Sequence, residues 1–352
     1  MPATLLSLAR ALPEHVFTAA DAEVRLSEVF RAQGEDPELV RQVVQNSGIE
    51  RRYLARPPDF YLEQTSLTVR NGVYHEVAVE LGVAACREAL AKAGVEASEV
   101  DLIVDTSCTG IMIPALDVYV ANALGLRRDV RRMPLTETGC AAGATSLAFG
   151  ADHLRAYPEA TVLLLSVELP SLTLQLEDAT RANLVSAAIF GDGAAAGVLA
   201  NRAASGPSFE HLAHETILFP ETQQIMGFEL RTEGFKIVLS RRIPLLVQRE
   251  LRGCVDAFLA KQEVALDALK FFVLHPGGTK VLDSVRDVLE LSEEQVRASR
   301  QTLADYGNLS SASVHFVTME LLERGAIKPG ELGLMIAMGP GFTLEIALLR
   351  GA

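Results

Sequence analysis

Residues 136–144, Thr-Glu-Thr-Gly-Cys-Ala-Ala-Gly-Ala, constrain this chain more than any other stretch. A single cysteine, Cys140, is enclosed by the smallest side chains available, and an apolar, helix-compatible run follows over residues 145–154. Small residues on both sides predict a tight turn opening a buried helix, because glycine lets backbone and ligand approach closely. At a helix N-terminus, free N–H groups and the helix dipole favour the thiolate, the reactive form of cysteine. A small buried structural cysteine is the competing reading of this stretch taken alone.

Two later segments bear on that choice. Residues 270–278, Lys-Phe-Phe-Val-Leu-His-Pro-Gly-Gly, read as an apolar strand ending in His275 and a turn. Residues 305–312, Asp-Tyr-Gly-Asn-Leu-Ser-Ser-Ala, read as a polar turn that feeds a helix over 314–322. Singly, His275 reads as a satisfied core histidine and Asn308 as a turn or cap residue. Together with Cys140 they share a pattern: each lies at an element end and is followed by small residues. That set fits a cysteine nucleophile, a histidine that pairs with its thiolate and donates to an oxyanion, and an asparagine that donates to the same oxyanion.

Composition narrows the field. The chain has 352 residues, 49% of them apolar, enough for one large or two medium domains with a sizeable core. No uncharged apolar run reaches the roughly 20 residues a membrane helix needs. The opening residues lack a basic leader and are interrupted by Arg10, so they read as a first strand and not a secretion signal. The net charge of −13 is opposite to that of a nucleic-acid binder. An anionic ligand would therefore need a local basic patch; the candidates are Arg51-Arg52 with Arg56, Arg127-Arg128, Arg131-Arg132 and Arg241-Arg242, each of which taken singly reads as solvated surface. The cysteines, Cys86, Cys108, Cys140 and Cys254, show neither a C-x-x-C pair nor metal-ligand spacing. No metal site is expected, and scattered single cysteines suit a reducing cytoplasm.

Strand-like and helix-like runs alternate. Residues 100–107 and 160–168 read as buried strands, and 77–93 as an Ala-rich helix. Gly191-Asp192-Gly193 enters a strand and lacks the third glycine and following helix of a dinucleotide fingerprint. The second half repeats the rhythm of the first: a strand, then a reactive or polar residue opening a buried helix, then a Gly-rich hairpin. The reading is α/β, with two similar lobes meeting within 200–235. Residues 1–215 would supply Cys140, and 216–352 would supply His275 and Asn308. Helices covering both faces of mixed sheets are the architecture such buried strands require.

Five motifs occur in order: Gly139-Cys140-Ala141-Ala142-Gly143, Phe190-Gly191-Asp192-Gly193, His275-Pro276-Gly277-Gly278, Tyr306-Gly307-Asn308-Leu309-Ser310-Ser311 and Gly339-Pro340-Gly341-Phe342-Thr343. Together they resemble the bacterial type III polyketide synthases, the chalcone-synthase-like branch of the thiolase superfamily, over residues 5–349. The resemblance implies a thiolase-like fold of five αβαβα layers and a decarboxylating acyltransferase that extends a starter acyl-CoA with malonyl-CoA. It implies that Cys140 carries the acyl chain, while His275 and Asn308 hold thioester oxygens. Phe190 matches an aromatic gatekeeper, Thr173 and Ser310 shape the cavity, and Gly277, Gly278 and Gly339 belong to loops around the site.

It also implies a cytoplasmic homodimer and no metal, flavin, nicotinamide or carrier-protein arm. Departures from plant members are Ile237 at the second gatekeeper, Cys108 where they carry threonine, and Leu39, Gln42 and Asn46 where they carry CoA-binding basic residues. Arg51, Arg52 and Arg241 are then the better candidates for CoA. Ile237 and Cys108 make a fatty-acyl-primed alkylpyrone synthase the first expectation. A malonyl-primed tetrahydroxynaphthalene synthase and a ketoacyl synthase of the same fold are the alternatives. A catalytically dead homologue with a binding role is the rival from another class.

Overall fold

The computed structural model describes residues 2–63 and 65–352. The first half runs β1 (Ala3–Ala11), β2 (His15–Thr18), α1 (Ala19–Ala32), α2 (Pro37–Asn46), β3 (Arg51–Leu54), α3 (Leu67–Ala93), β4 (Leu102–Thr106), α4 (Leu116–Leu124), β5 (Arg131–Leu135), α5 (Ala142–Ala156), β6 (Thr161–Glu168), α6 (Arg181–Ile189) and β7 (Gly193–Ala200). The second half runs β8 (Phe209–Leu218), β9 (Met226–Arg231), β10 (Gly234–Leu239), α7 (Ile243–Lys261), β11 (Leu269–Leu274), α8 (Thr279–Val288), α9 (Glu293–Tyr306), α10 (Ser313–Glu323), β12 (Leu332–Gly339) and β13 (Thr343–Gly351).

Nine strands form one sheet in the order β11-β12-β13-β8-β1-β7-β6-β4-β5. The expected repeat is visible in this order. β1 pairs antiparallel with β7, β7 antiparallel with β6, and β6 parallel with β4. In the same way β8 pairs antiparallel with β13, β13 antiparallel with β12, and β12 parallel with β11. Among the described residues, the sheet passes from one half to the other where Ala3 and Thr4 of β1 pair with His211 and Glu210 of β8. The expected change of lobe at 215/216 falls inside β8, which pairs with β13 over nearly its whole length, so the change lies before Phe209.

Side-chain alternation along the strands builds the five layers. Leu102, Val104, Val162 and Leu164 share a core with Leu147 of α5 and Val314 of α10. Phe271, Val273, Met335 and Ala337 of the other half enter that same core. Their neighbours point the opposite way. Ile103, Leu163 and Leu165 pack under α3, while Phe272, Leu274, Leu334 and Ile336 pack under α7 and α8. α5 and α10 thus form the middle layer between two half-sheets. Strands buried on both faces read as nearly continuous apolar runs, which is why they were legible. α3 begins ten residues before the predicted start at 77, because Ser66 caps it by accepting from Val69 N–H.

The middle layer closes through missing side chains. A Cβ on Gly143 of α5 would lie 2.1 Å from the Ser311 carbonyl oxygen, ahead of α10. A Cβ on Gly191 would lie 2.2 Å from the Tyr306 carbonyl oxygen. These are backbone atoms that cannot swing aside. Gly143→Ala is therefore expected to cost about 3 kcal/mol, the upper range for overpacking. Urea unfolding checks this, and an unchanged midpoint would mean that the two helix starts need not touch.

Candidate active site

Cys140 lies in a single 3-10 turn, Gly139–Ala141, that runs directly into α5. Gly139 makes the turn with φ of +53°, and a Cβ there would strike the Pro340 ring at 2.6 Å. The thiol is 8% exposed and donates to Ser310 Oγ at 3.5 Å. Ser310 comes from the other half, in the turn Ser310–Ala312 ahead of α10, and holds a strained φ of +49°.

Asn308 precedes that turn. Its Oδ1 accepts from Ser310 N–H at 2.8 Å and from Ser313 Oγ at 3.4 Å. The carbonyl end is thereby committed, and the amide NH₂ is the end left for the cavity that Asn308 lines. Backbone bonds fix it further: Asn308 N–H donates to Ile189 O at 2.7 Å, and Gly191 N–H donates to Asn308 O at 3.1 Å. Asn308 is thus bridged to Phe190, the expected gatekeeper. His275 follows β11, tied by its N–H to Ile336 O at 2.9 Å. Its Nδ1 is buried with no partner among the described residues.

Cys140, His275 and Asn308 line one cavity of about 1010 Å³. Phe190, Cys108, Ile237, Ser310, Gly277, Gly278 and Arg241, all named from the sequence, line it too. Cys108 Sγ lies 3.6 Å from Ser310 Oγ and 3.6 Å from the Glu168 carboxylate. Glu168, read from sequence only as a strand end, is fully buried and accepts from Cys108 N–H, Thr109 Oγ1 and Ser311 Oγ. Burial raises its pKa, and these hydrogen bonds oppose the rise.

Four expected residues do not line the cavity. Thr173 spends its hydroxyl on Pro170 O at 2.8 Å, and only Pro170 of that turn reaches the wall. Gly339 lies behind the nucleophile turn, where its Cβ would meet Thr138 O at 2.6 Å. Arg51 pairs with Asp305 at 2.9 Å. Arg52 is 3% exposed, donates to Phe190 O at 3.1 Å and lies over the Phe17 ring. Burial pulls its pKa down to about 10. Each of these arginines has a local partner, Asp305 for Arg51 and the Phe190 carbonyl with the Phe17 ring for Arg52.

The cations that do reach the cavity are Arg181, Arg241 and Lys280. Sequence reading missed Arg181 and Lys280. A signal existed: Arg181 is the first residue of α6 and Lys280 the second of α8, where the helix dipole disfavours positive charge. Of the positions aligned with basic residues in plant members, Asn46 lines the cavity.

Burial opposes the expected thiolate. It pushes the Cys140 thiol up to about 12, and the buried Glu168 charge adds to the rise. Burial pulls the His275 imidazole down to about 4. On burial alone Cys140 rests as a neutral thiol and His275 as a neutral imidazole.

Residues 1–202 match the N-terminal domain of chalcone and stilbene synthases, and residues 211–352 match their C-terminal domain. The chain is 39% identical to a 1,3,6,8-tetrahydroxynaphthalene synthase of Streptomyces peucetius subsp. caesius, over 97% of this chain and 91% of that protein. It is 30% identical to a phloroglucinol synthase of Pseudomonas fluorescens, over 88% of each. Its fold is similar to the crystal structure of the Streptomyces coelicolor tetrahydroxynaphthalene synthase, with a TM-score of 0.93 at 31% identity over 99% of both chains. The chain belongs to the chalcone and stilbene synthase family, the type III polyketide synthases, which are thiolase-fold acyltransferases that join acyl units by decarboxylative condensation.

Proposed function

We propose that this enzyme extends a fatty acyl-CoA starter with malonyl-CoA on Cys140 and closes the chain to an alkylpyrone or a related ring. The observation that carries the reading is one apolar cavity with Cys140, His275 and Asn308 on its wall. Cys140 attacks the starter carbonyl as its proton passes to His275, and CoA leaves with a proton. Malonyl-CoA then enters and loses CO₂. The resulting enolate oxygen is held by the Asn308 amide and by the N–H of the neutral His275 imidazole, each donor worth about 3 kcal/mol in comparable sites. The enolate carbon attacks the Cys140 thioester, forms the new C–C bond and releases the sulfur. The longer chain returns to Cys140, and the cycle repeats until the chain cyclises.

The apolar wall supports the fatty starter. Ile113, Phe190, Met226, Phe228, Ile237 and Met338 all contribute to it. The 39% identity to a tetrahydroxynaphthalene synthase favours a second reading, with malonyl-CoA as its own starter. Ile113 is 94% exposed at the cavity lip, an apolar cover that suits a homodimer; a monomer mass by sedimentation would exclude it.

The CoA phosphates are assigned to the mouth. The N-termini of α6, α7 and α8 all border the cavity, and each brings a cation: Arg181, Arg241 and Lys280. Three positive charges beside helix starts suit a polyanion held by an otherwise acidic protein.

Three measurements check this. With malonyl-CoA and a panel of acyl-CoA starters, mass analysis is expected to find products that gain two carbons per cycle and retain the long acyl tail. Products from malonyl-CoA alone, unchanged by added starter, would establish the second reading. His275→Gln is expected to slow iodoacetamide alkylation of Cys140 at pH 7 by roughly tenfold or more, as a lost base does. Equal rates would remove His275 from thiol activation. Arg241→Glu and Lys280→Glu are each expected to raise KM for malonyl-CoA roughly tenfold, with kcat little changed, since they touch only uniform binding. An unchanged KM in both would move the phosphate site elsewhere.

A further inference from the structure

β9 and β10 form a two-stranded sheet of their own, with no strand of the main sheet beside them. An isolated hairpin is marginal, so its position depends on what it leans against. This one supplies Phe228, Phe235 and Ile237 to the cavity wall. Ile237 pairs with Phe228 across the hairpin, and the Phe228 and Phe235 rings meet edge to face at 5.6 Å. Any shift of the hairpin therefore moves these wall residues together.

The loop facing β10 is held by side chains from several elements. Arg70 of α3 donates to Leu174 O, and Gln33 donates to Leu176 O. Asn183 of α6, 2% exposed, donates to Gln175 O and to Asp178 O, both at 2.7 Å. Three elements thus pin five residues of irregular chain. From this anchor the Gln175 side chain, 9% exposed, reaches the hairpin. Its Nε2 donates to Phe235 O at 3.1 Å and to Thr173 O at 3.2 Å. Gly234, with φ of +135°, makes room: a Cβ there would lie 2.9 Å from that nitrogen. A second, looser tether joins Lys236 of β10 to Asp178 of the same loop at 3.8 Å.

We propose that Gln175 is a positioning residue that latches the β9–β10 hairpin onto the loop at 174–178, setting the width of the acyl cavity and so the length of starter accepted. It touches no reacting atom and acts through the Phe235 carbonyl. The inference rests on the acyl-CoA reading above for its effect on substrate choice, but not for the latch itself.

Gln175→Met keeps the size of the side chain and removes both amide donors. In full-length protein, amide hydrogen exchange over 226–239 is expected to quicken roughly fivefold, the opening expected for one lost hydrogen bond, while α5 and α10 keep wild-type protection. The ratio of kcat/KM for myristoyl-CoA over hexanoyl-CoA is expected to rise roughly threefold or more. Alkylation of Cys140 is expected to match wild type, which a general loosening of the site would not allow. Lys236→Ala should shift exchange and ratio in the same direction by less, and it serves if Gln175→Met does not fold. Wild-type exchange in the hairpin overturns the latch. Faster exchange with an unchanged starter ratio overturns its control of width. Should the wild-type enzyme turn over neither starter, the acyl-CoA reading fails, and the exchange result still decides the latch.

Discussion

The two halves of this enzyme can meet only because their touching surfaces are bare backbone. Gly143 faces the Ser311 carbonyl, Gly191 faces the Tyr306 carbonyl, and Gly139 sits against Pro340. Each contact joins the nucleophile's half to the other half. None has space for a methyl group, and in each the obstructing atom belongs to backbone or to a proline ring. The same contacts bring Cys140, Asn308 and Ser310 to one wall, although 170 residues separate Cys140 from Ser310. Local chain chemistry does the rest. Two short turns, Gly139–Ala141 and Ser310–Ala312, each hand a polar residue to the start of a buried helix. The repeat is thus more than a record of sheet order: equivalent helix starts of the two halves press against one another, and the reaction site lies where they do.

Much of this was legible because it depends on short-range pattern. Small residues around Cys140 and after Asn308 announce close approach, and unbroken apolar runs announce strands covered on both faces. Cys140, His275 and Asn308 stood out as candidates because each lies at the boundary of an element, and the structure brings all three to one cavity. What could not be read depends on who arrives first at a side chain. Arg51 and Arg52 looked like free cations, but Asp305 claims one, while the Phe190 carbonyl and the Phe17 ring claim the other. Thr173 looked like a wall residue, but its hydroxyl turns back to Pro170. Of the β9–β10 hairpin, only Ile237 was singled out from the sequence. The hairpin's tether runs through Gln175, 60 residues away, and no periodicity encodes such a contact.

The cations at the mouth show a further kind of legibility. A lysine or arginine in the first turn of a helix opposes the helix dipole and is mildly destabilising. One such residue is noise. Three of them, Arg181, Arg241 and Lys280, stand at or just before the starts of α6, α7 and α8, and all open on one cavity. In a chain of net charge −13, that concentration of positive charge serves a ligand better than it serves the fold. The rule that a local cost without local compensation marks a functional position could have found these residues from sequence, once helix starts were known.

The electrostatics deeper in the cavity run the other way. Glu168 is buried behind Cys108 and raises the cost of negative charge on the Cys140 sulfur. Burial adds to that cost. An environment so poor for a resting anion also disfavours the malonyl carboxylate once it passes the cationic mouth, because an unpaired charge in an apolar setting is expensive. Loss of CO₂ moves that charge off the carboxylate and onto the thioester oxygen. There, on the proposed reaction, the Asn308 amide, oriented by its bonds from Ser310 and Ser313, meets it. The site therefore need not hold any anion well at rest. It needs to hold one oxygen better than its surroundings do at the moment charge reaches it, and donors fixed beforehand, one ahead of a helix and one at a strand end, do this without reorganising.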